Sequence, residues 1–119
     1  MLKIALLTLT LTADGALRLT LSDMESASDC EASRENITAM LTESGINVVA
    51  AMCGETDLRL TAFEHGAGPE AEVHLYRVET DGAGFSVSPL GEGDLCVAGE
   101  SGGQQVYCTR SSQAVIPGG

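Results

Sequence analysis

One helix followed by antiparallel strands, an α+β domain, is the fold class this chain predicts. Three observations predict it. A strongly capped helical stretch begins near residue 29, apolar and polar residues alternate on either side of it, and turn signals recur roughly every ten residues through the second half.

The first element is a hairpin. Leu7, Leu9 and Leu11 alternate with threonines, and Leu17, Leu19 and Leu21 alternate beyond Ala13-Asp14-Gly15. A three-residue loop with Gly15 in the left-handed position pairs Leu11 with Leu17 and Leu9 with Leu19, putting these leucines on one face. Residues 1–15 have a second reading, as a signal peptide with a short apolar stretch from Ile4 to Thr12 and a small-residue cleavage site at Ala13-Asp14-Gly15.

The helix is expected from about residue 29 to 44. Ser28 with Glu31 forms a capping box, and Asp29, Glu31 and Glu35 crowd the positive end of the dipole. Ile37, Met40 and Leu41 make an apolar stripe that Cys30 extends. Gly45 suits the C′ position, and Ile46 can then touch Leu41.

Ile46 to Cys53 is apolar on both faces apart from Asn47 and reads as a buried strand, with Leu58 to Phe63 as its half-buried partner. Further strands are expected over Glu70–Val78, Phe85–Ser88, Leu95–Ala98 and Gln105–Thr109, with Gly99 to Gln104 as a turn. Residues 16–110 are expected to form a single domain, and 111–119 a weakly patterned tail.

The charge balance excludes some functions. Six basic against 17 acidic side chains give a net charge of −11, which repels phosphate backbones and disfavours nucleic-acid binding. A hydrophobic fraction of 44% excludes a disordered acidic chain, and the apolar runs are too short to span a membrane as a helix.

Cys30, Cys53, Cys96 and Cys108 are an even count in a short chain, without the two-residue spacing of a zinc knuckle or a redox motif. Geometry selects a pairing. From Cys30 to Gly45 is roughly 22 Å of helix and from Gly45 to Cys53 roughly 26 Å of strand, so a strand folding back along the helix brings Cys53 to Cys30. Cys96 and Cys108 then face each other across a Gly-rich hairpin, with Ala98 opposite Val106. Two bridges place the chain in an oxidising compartment, periplasmic or secreted.

Few residues suggest chemistry. Cys30 in the first helical turn could be a reactive thiol, but Asp29 and Glu31 beside it stabilise the proton, and a structural disulfide is the simpler reading. Glu70, Glu72, His74 and Tyr76 share one face of a strand, with Ala71, Val73 and Leu75 on the other. Glu70, Glu72 and His74 could hold a divalent metal, although strand neighbours on one face stand about 7 Å apart and need ligands from elsewhere. The plainer reading is the solvated face of an edge strand. His65 beside Glu64, or His74, could serve a small hydrolase, yet no Gly-x-Ser-x-Gly or His-Glu-x-x-His pattern accompanies them. The Gly-x-Gly stretches complete no nucleotide-binding pattern and read as turns.

The expected function is therefore non-enzymatic: a small, acidic, exported domain that binds a protein with a basic surface, without a cofactor. Tyr76 on the charged strand face and Gln104 at the Gly-rich hairpin are the expected contact residues. A divalent-metal-binding protein is the alternative, and a small hydrolase the third reading.

Overall fold

The Leu–Thr alternation folds back on itself as expected in the computed structural model, which describes residues 2–61, 71–81, 84–91 and 93–116. β1 (Lys3–Leu11) and β2 (Leu17–Asp23) pair antiparallel, with Leu11 facing Leu17, Leu9 facing Leu19 and Leu7 facing Leu21. The Thr12 N–H donates to the Ala16 carbonyl at 2.8 Å, closing the loop Ala13-Asp14-Gly15, and Gly15 takes φ +86°.

Helix α1 (Ala27–Glu43) starts earlier than the Ser28 box implies. Ser26 is the cap, its Oγ accepting from the Asp29 N–H at 3.1 Å. Ser26/Asp29 and Ser28/Glu31 have the same spacing, and the earlier pair adds half a turn before Cys30. The C-terminus ends as expected: Gly45 adopts φ +80°, its N–H reaches the Thr42 carbonyl at 3.0 Å, and the Ile46 N–H reaches the Leu41 carbonyl at 2.9 Å. The stripe is shallower than expected. Cys30 is buried, Ile37 and Leu41 half-buried, and Met40 exposed.

β3 (Asn47–Thr56) runs back along α1 and pairs with β1, so Cys53 arrives at the start of the helix and bonds to Cys30. The expected strand from Leu58 is reduced to a single bridge between Leu60 and Val115, and its end at residues 62 and 63 lies outside the described residues. β4 (His74–Thr80) begins later than the expected Glu70 and pairs with β5 (Phe85–Pro89).

Leu95–Ala98, expected to be a strand, has no ladder partner. The strand there is β6 (Gly99–Ser101), joined to β7 (Gln104–Ser111) through Gly102 and Gly103. Both turn glycines have positive φ, +59° and +84°, as a two-residue type I′ turn demands. That turn is tighter than the one expected, so Gly99 rather than Ala98 faces Val106. The Cys96–Cys108 bridge still forms, just outside the ladder.

The sheet order is β3-β1-β2-β7-β4-β5, with β6 also on β7. β2 and β7 are parallel and meet at Arg18 and Arg110, which departs from an all-antiparallel sheet. This contact joins two half-sheets whose inner faces pack together. Leu7, Leu9, Leu19 and Leu21 meet Tyr76 and Val78, with Phe85, Val87 and Tyr107 against them. The residues expected as a tail are built in: Ser111 and Gln113 are fully buried.

The two outer faces differ. α1 packs on β3 and β1, burying Leu6, Thr8 and Thr10 beneath it. No described helix covers the outer face of β4 and β7.

Candidate functional site

Register fixes what this face, which no described helix covers, carries. Alternation along β4 places Tyr76 and Val78 inward and Leu75, Arg77 and Glu79 outward. Their partners on β7, Arg110, Cys108 and Val106, point the same way. The strand is thus inverted relative to the sequence expectation. Tyr76 faces in, His74 is half-buried and Glu72 is buried against Arg18 and Arg110, while Val73 is 67% and Leu75 51% exposed. β4 also lies inside the sheet, between β7 and β5, and is not an edge strand.

Tyr76 and Glu72 are both consumed by structure. The Tyr76 side chain is buried, and its hydroxyl donates to the Gln113 carbonyl at 2.6 Å. Burial pushes the phenol above its ordinary pKa. Tyr76 is therefore a core residue and not the surface contact expected.

Glu72 is buried too, accepting from Arg18 Nε on one oxygen and from Arg110 Nε on the other, the latter at 3.1 Å. Arg110 also donates through Nη2 to Asp14 at 2.8 Å. The Thr12 hydroxyl, followed by Arg110, holds the Asp14 carboxyl down at about 2. Arg110 in turn is raised, chiefly by its bond to Asp14. Two adjacent guanidiniums on parallel strands would repel. Glu72 and Asp14 neutralise them and so fasten the junction of the half-sheets.

This arrangement separates the expected metal ligands. Both Glu72 oxygens are occupied by arginines, His74 is half-buried at the start of β4, and Glu70 lies outside the described residues. Among the described residues no three His, Cys, Asp or Glu side chains are placed to hold a metal ion. His65 and Glu64 also lie outside the described residues. Cys30 has no free thiol, being bonded to Cys53. Gln104 is exposed at the Gly-rich turn, where a contact residue was expected.

Val73 and Leu75, with His74, Pro89, Leu90 and Val115, line a shallow concavity of about 480 Å³. The Leu90 N–H donates to the Leu75 carbonyl at 2.9 Å, fixing its rim. Beyond it the Cys96–Cys108 bridge leaves β7 on the same outer face, flanked by Leu95, 90% exposed, and Val97, 81% exposed. Sequence reasoning missed Val73, Leu75, Leu95 and Val97 because apolar alternation was read as core. It missed Gln113 because nothing local marks a buried amide.

No protein-family model matches the chain, and neither a curated protein nor a solved structure shows similarity to it. Among the described residues no helix is long and apolar enough to cross a membrane.

Proposed function

We propose that this protein is a non-enzymatic binding module that engages a protein partner through the outer face of β4 and its surroundings. One observation carries this reading: Val73 and Leu75 are exposed, while Glu72 and Tyr76, which alternate with them, are buried and His74 is half-buried. A strand with no partner on that face would favour the opposite orientation, and exposed apolar side chains gathered at one concavity mark an interaction surface. The net charge of −11 selects the partner's chemistry. Two copies of this chain repel each other, whereas a basic protein with an apolar contact is attracted, and faster at low ionic strength. Two disulfides fit an oxidising site of action, periplasmic or secreted.

The test is affinity capture from the exported fraction of the native host with tagged wild type, Leu75→Glu and Met40→Glu. Both positions are exposed, so both variants should fold. A basic partner should be retained by wild type and Met40→Glu, lost with Leu75→Glu, and released by raised salt. Equal retention by all three proteins, or retention indifferent to salt, would overturn the reading.

A further inference from the structure

We propose that the segment Leu95–Ala98 is a preorganised ligand loop that enters the cleft of an endoprotease with an apolar specificity pocket. The inference rests on the binding reading above and names the class of partner. Leu95 and Val97 are more exposed than any other large apolar side chain among the described residues, at 90% and 81%. Cys96 between them is half-buried and bonded to Cys108, so Leu95 and Val97 stand exposed on either side of an anchored residue. Among the described residues the segment pairs with no strand, so it is not already part of a sheet that a partner strand would have to displace.

Three devices hold it. Upstream, the Asp94 N–H donates to the Gly91 carbonyl at 3.1 Å, and the Gly91 N–H donates to Asp94 Oδ2 at 2.6 Å. In the middle, the disulfide ties Cys96 to Cys108, which is itself paired with Arg77 of β4. Downstream, the tight β6–β7 hairpin begins at Gly99.

A loop restrained at entry, middle and exit loses little conformational freedom on binding, the condition under which a short contact becomes tight. Gly93, Ala98 and Gly99 keep the flanks slender. Protease clefts receive an extended segment and seat one side chain in a pocket, which is a hydrophobic slot in chymotrypsin and holds an aspartate in trypsin. Leu95 suits the first and is rejected by the second. Binding by occupancy requires no bond to be cut.

The experiment measures hydrolysis of a chromogenic peptide by chymotrypsin, and separately by trypsin, with increasing amounts of the oxidised protein. Chymotrypsin should be inhibited at near-equimolar ratio and trypsin left untouched. Leu95→Asp, on an exposed loop, should weaken inhibition at least about 30-fold, as loss of a central anchor does. Met40→Glu should inhibit like wild type. Undiminished chymotrypsin activity in excess protein, equal inhibition by Leu95→Asp, or rapid cleavage at Leu95–Cys96 would each overturn the proposal. If inhibition fails while capture dependent on Leu75 persists, the binding reading stands and the protease does not.

Discussion

Gln113 shows how much a single side chain can do at the seam of two half-sheets. Its carboxamide oxygen accepts from the Leu21 N–H at 2.9 Å, and its nitrogen donates to the Leu21 and Thr61 carbonyls at 2.9 and 2.7 Å. The amide thus stands in for a strand residue beside β2, where β7 pairs only at Arg18 and Arg110. Gln113→Ala would leave buried backbone groups unpaired and should cost about 3 kcal/mol or more, read from urea unfolding. A loss below about 1 kcal/mol would mean that water replaces the amide.

Asp14 acts at the same seam from the surface. Its carboxyl is lowered from 3.8 to about 2, so its contribution is fully present above the unfolded value and fades as pH falls through the folded one. The unfolding midpoint should therefore drop between about pH 4 and pH 2, and Asp14→Asn should flatten that part of the profile. An unchanged slope in the variant would assign the acid sensitivity to another group.

At the scale of elements, local chemistry was legible wherever a residue answers to its own neighbours. The hairpin register followed from Leu–Thr alternation, the helix end from Gly45 and Ile46, and the Cys30–Cys53 pairing from the rise of a helix and a strand. The inversion of β4 was not legible. Val73 and Leu75 have the apolar character that normally points inward, and Glu72 and Tyr76 the polar character that normally points outward. The reversal depends on partners distant in sequence, Arg18 and Arg110 for Glu72 and the Gln113 carbonyl for Tyr76. The parallel β2–β7 contact was hidden for the same reason. The inversion has a direct consequence for stability. Leu75→Glu should change it by less than about 0.5 kcal/mol, as exposed substitutions do. Tyr76→Phe, its neighbour, should cost about 1–3 kcal/mol through an unpaired buried carbonyl. A Leu75→Glu variant that fails to fold would show that this face is covered.

At the scale of the whole molecule, two half-sheets share one core and differ in what lies outside them. One is covered by α1 and stapled to it by Cys30–Cys53. The other bears Leu75, the Cys96–Cys108 bridge and the solvent-exposed Leu95 and Val97. An acidic chain with apolar side chains exposed on the half that no described helix covers can stay monomeric by charge repulsion while attracting a basic partner. The measurement that tests this most directly is in-host photo-crosslinking, with a photoreactive residue placed in turn at position 75 and at position 40 on the helix. A discrete adduct with a basic protein from position 75, and none from position 40, is the predicted result. Adducts from position 40 alone, from both positions equally, or from neither would contradict the assignment of the binding face.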